Sequence, residues 1–367
     1  MKLTSALIKE KAMSLGIDDI GIANIERFCE APAMMDPLNY YEGIKSVIVV
    51  VQRIPRGSYR GIEEGTHWHN YTYYSYNRLN TVFRTKLAYK LSCFIEDFGQ
   101  EAIAHFPGVP ERNPLPKDPV RKSGLPANIM ANIRILAAGA GVGEIGHSKV
   151  FLSRKFGPRV RLSCIFTDAV LEPDPMIEPG TICNRCGRCV RDCPGNAIPS
   201  VSNETRRINI KVGNKDISWG DVHMGRCTLT HHGFNKEISP FLKNSFPNMN
   251  FNVRESKMTE EEAYRLSYPM ALAKWGITYT RDNSIIPYYR YIMDHVGYFA
   301  VCGAKGCIRA CMDNLEKNGL IENTFENEFY RKKQWHIDME VTEQEGKINP
   351  WRERYLEENY PGVTKGE

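Results

Sequence analysis

The chain has 367 residues, 42% of them hydrophobic and 25% charged, which suits a globular protein of one large or two moderate domains. Its net charge of +5 is spread along the sequence with no Lys/Arg run interleaved with aromatics, so composition gives no reason to expect nucleic acid as a partner. No apolar run approaches the ~20 residues of a membrane span. The opening MKLTSALIKEKAMSLGIDDIG has neither an apolar core with a small-residue cleavage site nor a twin-arginine leader, so a cytoplasmic location is expected.

Residues 4–15 form the first expected helix, with Ile8, Ala12 and Leu15 at helical spacing, and SVIVVVQRI from Ser46 reads as a buried strand, giving an alternating α/β opening. Residues 76–98, closed by Gly99, have helical periodicity, and EAIAHFP resumes as a strand before a proline-rich loop over 107–126. ANIMANIRILAAGAGVGEIG starts as a helix and ends in Gly139, Gly141, Gly143 and Gly146, where bare backbone admits a large flat ligand. These glycines close a helix instead of opening one, so they are not a dinucleotide fingerprint. RVRLSCIFTDAVL is a strand, and the proline-punctuated stretch 172–180 marks a domain boundary. Residues 228–301, with aromatic helical stretches such as EEAYRLSYPMALAKWG, separate two groups of cysteines and are expected to lid a site. The charged tail from Asn314 is expected to pack as helix.

Eleven cysteines cluster at short spacing rather than forming a disulfide framework. Cys29, Cys93 and Cys164 lie in apolar surroundings and read as core. In ICNRCGRCVRDCPGNAI, Cys183, Cys186, Cys189 and Cys193 have the C-x2-C-x2-C-x3-C-P spacing that supplies three thiolates to one iron-sulfur cube and a fourth to a second cube. Such cross-ligation calls for four more thiolates, which Cys227, Cys302, Cys307 and Cys311 provide. By analogy the first cube takes Cys183, Cys186, Cys189 and Cys311, and the second takes Cys193, Cys227, Cys302 and Cys307. Four residues intervene between Cys302 and Cys307, and Met312 stands where the usual run has proline. A zinc site at Cys302, Cys307 and Cys311 is the competing reading, because zinc accepts thiolates at variable spacing.

GAGVGEIGHSKVFLSRKFGPRVRLSCIFTDAVLEPDP, followed directly by the cysteine run, resembles the corrinoid-dependent reductases that include reductive dehalogenases and epoxyqueuosine reductase. AMSLGIDDIGIA is similar to the start of the epoxyqueuosine branch, and YSYNRLNTVF through IEDFGQEAI resembles a helix-to-strand unit of both branches. The resemblance implies a soluble α/β protein with a nitroreductase-like corrinoid-binding domain over 1–174. A ferredoxin-like module over 175–313 would carry two 4Fe-4S clusters and the insertion 228–301, and 314–367 would be a tail packed on the core. It implies cobalamin as a further cofactor, with electrons from a donor such as ferredoxin or flavodoxin passing through the clusters to give Co(I), and reductive dehalogenation or a related cleavage of a small organic substrate. Gly141, Gly143, Glu144 and His147 are the expected corrinoid contacts.

The family's basic residue, which stabilises the proton donor's anion, matches Arg161. An ungapped count lands on Thr81 for the dehalogenase tyrosine and on Leu79 for the epoxyqueuosine acid, so the donor is sought at Tyr74 or Tyr76. The bland alternative for Arg161 is an ion pair with Asp168 or Glu144. His67 and His69 read as a solvated or substrate-facing loop, and His231 and His232 as neighbours of the second cluster. Epoxide reduction on a modified tRNA base and a non-catalytic electron-transfer protein remain as alternatives, nucleic acid being a partner only under the former.

Overall fold

In the computed structural model, which describes residues 2–32, 36–39, 41–66, 69–105, 131–239, 250–271, 300 and 302–328, the chain opens with helix α1 (Ser5–Ser14). Thr4 starts it by accepting the amide of Leu7 on its hydroxyl at 3.3 Å. Strands β1 (Asp19–Asn24) and β2 (Ser46–Arg53) follow, and then the short helices α2 (Arg60–Glu64) and α3 (His69–Thr72). Helix α4 (Arg84–Glu96) and strand β3 (Ala102–Ala104) precede α5 (Ile133–Gly139), the hairpin β4 (Gly143–Ile145) and β5 (Phe151–Ser153), and strand β6 (Val160–Thr167). The order β1-β2-β6-β3 forms a four-stranded sheet, antiparallel at every described pairing.

Strand β2 is apolar from Val47 through Val51 because it is covered on both faces. Val47, Val49 and Val51 point into one core with Phe28 and the Ile135–Ala138 stretch of α5. Ile48 and Val50 point into the other, with Ile8 and Ala12 of α1 and Leu91 and Ile95 of α4. The result is a mixed helix and sheet fold in three layers. Among the three cysteines read as core, only Cys164 is buried; Cys29 is exposed and Cys93 half-buried, because Cys29 follows a short 3-10 turn at the edge of the sheet.

The helix expected over 76–98 starts differently. Two π-helical stretches, Tyr73–Asn77 and Leu79–Phe83, run between α3 and α4. Hydroxyls of Ser75, Thr81 and Thr85 donate to the carbonyls of Tyr71, Asn77 and Thr81, four residues back. Such back-bonding competes with the regular ladder. Wide turns of this kind are frequent at functional sites.

Beyond residue 174 come α6 (Arg188–Arg191), the hairpin β7 (Arg207–Val212) and β8 (Lys215–Gly220), and α7 (Met224–His231). Helices α8 (Glu260–Ala271), α9 (Cys302–Lys305) and α10 (Cys307–Lys317) complete the order. Ile210, Val212, Ile217 and Trp219 of the hairpin enter the same core as β2 and α5, so the parts before and after residue 174 share buried surface. Helix α7 packs on α8 around Leu229, Val253 and Ala263.

Among the described residues the tail is helical as far as Lys317. Residues 318–328 lie unwound: Phe325 sits between the guanidinium groups of Arg56 and Arg159, at 4.6 and 5.0 Å from its centroid, where a helix was expected. The loop 107–126, His67, much of the insertion and the tail from 329 lie outside the described residues. Among the described residues no helix is long and apolar enough to cross a membrane.

Candidate functional site

The eight cysteines of the two runs lie in two neighbourhoods. Burial first, and then Cys189, Cys307, Cys183 and Cys186, push the Cys311 thiol well above its usual range. Cys189 is pushed up to about 12 by burial and then by Cys183 and Cys186. In the other neighbourhood burial, Cys227, Cys307 and Cys193 raise Cys302, while Cys227 goes to about 11 through burial and Cys193. Cys183, Cys186 and Cys189 thus lie near Cys311, and Cys193, Cys227, Cys302 and Cys307 lie near one another, while Cys189, Cys193, Cys227, Cys307 and Cys311 pack into one apolar cluster that joins the two. Crowded buried thiols that raise one another become favourable once a metal cluster takes up their protons' place.

Each neighbourhood has a structural reason. Cys183 leads a loop in which Arg185 takes a left-handed conformation, φ 52°, and its sulfur accepts the amide of His147 at 3.4 Å. Cys193 follows α6 and its sulfur accepts the amide of Ala197 at 3.3 Å. The four residues between Cys302 and Cys307 make an extra helical turn, α9, before α10 begins. Met312 is fully buried inside α10, where proline would break the helix that continues to Lys317. A buried ion pair, Arg309 Nε to Glu63 Oε2 at 3.1 Å, ties α10 to α2.

No three His, Cys, Asp or Glu side chains among the described residues converge closely enough for a single metal ion. A zinc would need its thiolates about 2.3 Å from one centre. Cys311 also sits with the first run and not with Cys302 alone, against the zinc grouping.

The second neighbourhood abuts a cluster of phenols. A Cβ on Gly303, next to Cys302, would meet the Tyr71 hydroxyl at 2.5 Å, so only glycine lets α9 approach this closely. Tyr71 packs edge-on to Tyr76, centroids 5.7 Å apart, and Tyr76 lies 5.2 Å from the ring of His231. Nδ1 of His231 is 3.7 Å from Cys302 Sγ. Arg161, the second residue of β6, stacks its guanidinium 4.3 Å from the Tyr76 centroid. Its Nε donates to Ser75 O at 2.7 Å and its Nη1 to Val160 O at 3.0 Å, while Nη2 is buried with no hydrogen-bond partner among the described residues.

Burial pushes the Tyr76 phenol up and Arg161 pulls it back. Burial works against the charge of Arg161, but Tyr76, Tyr71 and Tyr59 together carry it above its usual range. Burial also pushes the His231 imidazole well below its usual range.

Tyr74 stands elsewhere: it is 43% exposed and packs edge-on to Tyr73. Arg161 makes no ion pair with either proposed carboxylate. Asp168 accepts the amide of Glu101 at 2.9 Å, and Glu144 faces the cysteine loop.

The expected corrinoid contacts are turned to protein. Gly141, at φ +76°, would drive a Cβ to 2.2 Å from Pro175 O, and one on Gly143 would lie 2.1 Å from Leu152 O. These glycines admit backbone of this chain at close range. Glu144 accepts the amides of Gly180, Ile182 and Cys183, and Nε2 of His147 lies 2.9 Å from Pro199 O. A cavity of about 430 Å³ lies beside this loop, lined by Gly143, Glu144, His147, Cys183, Arg185 and Ser218 among others.

Two cations escaped the sequence reading. Arg134, exposed on α5, is lowered by burial, with Cys227 pulling it back up and Arg161 lowering it further. Lys149, at φ 65°, is lowered by burial and then by Arg134, and its Nζ lies 4.0 Å from Met224 Sδ. A lone arginine in the small apolar run NIRILAAG was the available signal.

No family model matches the chain. It is 38% identical over 65 residues to the tetrachloroethene reductive dehalogenase of Desulfitobacterium hafniense, a stretch covering 17% of this chain and 12% of that protein. Over this stretch the chain is similar to reductive dehalogenases. The match spans about an eighth of the relative's length. Among solved structures, a catabolic reductive dehalogenase in complex with 3-bromo-4-hydroxybenzoic acid aligns at 16% identity and TM-score 0.44 over 89% of this chain and 39% of its own. An epoxyqueuosine reductase from Bacillus subtilis aligns at 15% identity and TM-score 0.40, over 83% and 79%.

Proposed function

We propose that this chain is an oxidoreductase that carries two 4Fe-4S clusters and a corrinoid, and that it reductively dehalogenates, or cleaves in a related way, a small organic substrate. The observation that carries the proposal is the juxtaposition of the second thiol group with Tyr76 and Arg161 through His231. In this reading residues 1–174 are a nitroreductase-like corrinoid domain. Residues 175–313 are a ferredoxin-like module. Cys183, Cys186, Cys189 and Cys311 hold one cluster and Cys193, Cys227, Cys302 and Cys307 the other.

The donor set fits such clusters: eight thiols, with backbone amides aimed at two of the sulfurs. The corrinoid is supported by a buried polar atom without a hydrogen-bond partner among the described residues, Nη2 of Arg161. Arg134 and Lys149 would meet the polar edge of the macrocycle. When bound, the corrinoid supplies a low-potential cobalt centre able to break a carbon–halogen bond.

The residues do the rest. Two electrons from a low-potential donor such as ferredoxin or flavodoxin and one proton convert a carbon–halogen bond into carbon–hydrogen and release halide. Tyr76 gives the proton from its hydroxyl. The phenolate left behind is stabilised by Arg161, whose orientation the carbonyls of Ser75 and Val160 hold. Tyr71 and Tyr59, both fully buried, wall this position from water.

Anaerobic reconstitution with iron, sulfide and cobalamin, followed by metal analysis and EPR, tests the proposal. About eight irons and one cobalt per chain are expected. Iron without cobalt would leave an electron-transfer protein and remove the corrinoid chemistry.

A further inference from the structure

Glu144, in the middle of β4, is 5% exposed, and the loop that leads into the first cysteine run folds its amides onto it. The amide of Gly180 donates to Oε2 at 2.6 Å and that of Ile182 to Oε1 at 2.8 Å, while the amide of Cys183 itself also donates to Oε1. Buried amides without acceptors are costly, and so is a buried carboxylate with unfilled lone pairs, so each side of this arrangement requires the other. No cation pairs with Glu144 among the described residues. Its charge is met by amide dipoles alone and remains in the field at Cys183, whose thiol it raises after burial has done so. The amide of His147 on Cys183 Sγ acts in the opposite sense.

We propose that Glu144 is a positioning residue for the first cluster: it fixes the backbone of the Cys183 loop, and its charge, held by backbone amides with no paired cation among the described residues, keeps the reduction potential of that cluster low. The inference rests on reading Cys183, Cys186, Cys189 and Cys311 as a cluster-binding set. Cluster potentials respond to local net charge and to hydrogen bonds at sulfur. A carboxylate one residue contact away from a ligand therefore acts on both the loop and the energy of the added electron. A purely structural role would move only the first.

Two variants separate the effects. Glu144→Gln keeps an oxygen for Ile182 and Cys183 and removes the charge; Glu144→Asp keeps the charge and withdraws it by one methylene. Full-length chains are reconstituted anaerobically, their iron is counted, and each cluster is titrated by EPR against a mediator series.

For Glu144→Gln the first-cluster midpoint is expected to move to a more positive potential while the second-cluster signal stays in place. For Glu144→Asp the midpoint stays near wild type and iron is released several-fold faster to a chelator. A Gln variant with the wild-type midpoint overturns the electrostatic role, and an Asp variant with the wild-type release rate overturns the positioning role. If the Gln variant loads no first cluster, restoration of its signal by Asp supports the proposal, and an Asp variant no better than Glu144→Ala overturns it. Wild type that takes up no iron would sink the functional reading itself, a result distinct from all of these.

Discussion

The two thiol groups are built in opposite ways. The first takes three of its four cysteines from a single loop, with Cys186 exposed, and Glu144 and His147 fasten that loop to the β4–β5 hairpin. The second collects Cys193, Cys227, Cys302 and Cys307 from three places in the chain and sets Cys302 and Gly303 against His231 and Tyr71. A loop at the surface suits a group that exchanges electrons with a partner. A group assembled by the tertiary fold suits delivery of those electrons to a buried site.

The largest effect that could break this contrast is loss of the second group. Cys307→Ala is expected to lower iron from about eight to about four per chain and to abolish turnover of any halogenated substrate, because the cluster nearest Tyr76 is the one removed. Cys186→Ala should cost the first cluster and leave the second-group EPR signal. If both variants lose both clusters, the groups are not independent and the division of labour fails.

Within the second group's surroundings, Tyr76→Phe should reduce kcat by about 10²–10⁴-fold with iron and cobalt content unchanged, the range for removal of a general acid. Tyr74→Phe should stay within about twofold, a phenol that far from Arg161 having no proton to give there. Equal losses from the two would move the donor elsewhere. Steady-state kinetics beside metal analysis decides.

A third test concerns how α10 is held, since that helix carries Cys307 and Cys311, one cysteine of each group. Glu63 and Arg309 are 1% and 6% exposed in their side chains. Arg309 also lies 3.7 Å from Asp313; removing one partner of a buried ion pair generally costs about 3–5 kcal/mol, whereas removing both together costs much less. Arg309→Met should therefore lower the urea midpoint far more than the double change Glu63→Met with Arg309→Met. An additive result would mean that the pair contributes through something other than mutual neutralisation.

The first cysteine run was legible in the sequence because its information is local, a fixed spacing that survives without knowledge of the fold, whereas Cys311 was joined to it only by analogy. The second was legible only by analogy, since nothing local joins Cys227 to Cys302. The central strands and α1 followed from burial on two faces and from periodicity. Missing was the β7–β8 hairpin, although RINIKV and KDISWG alternate around Gly213 and Asn214, a recognisable hairpin pattern. For the glycines of 139–146, bare backbone shows that something approaches, not what; Pro175 and Leu152 of the chain itself lie close to Gly141 and Gly143. Arg161 was placed by motif, while the choice of Tyr76 over Tyr74 depended on π-helical turns that shift which side chain faces inward, and no periodicity argument contains that shift.

His105, whose amide donates to Cys164 O of β6 at 2.9 Å, is pushed down to about 4 by burial and then by Arg84, from an ordinary value near 6.5. Because the folded form holds its proton less tightly than the unfolded chain, stability from this group is complete above pH 6.5 and falls as pH drops from about 6.5 toward about 4. After allowance for its partial exposure the loss is about 2 kcal/mol at the low end. His105→Gln should flatten the urea midpoint across that window while leaving it unaltered in slope above pH 7. Cluster absorbance followed in the same titration sharpens the contrast between the two thiol groups. Bleaching that is delayed by His105→Gln follows the sheet, as expected for the second group, which the tertiary fold assembles. Bleaching that proceeds unchanged reflects proton competition for the thiolates, as expected for the loop that carries Cys186.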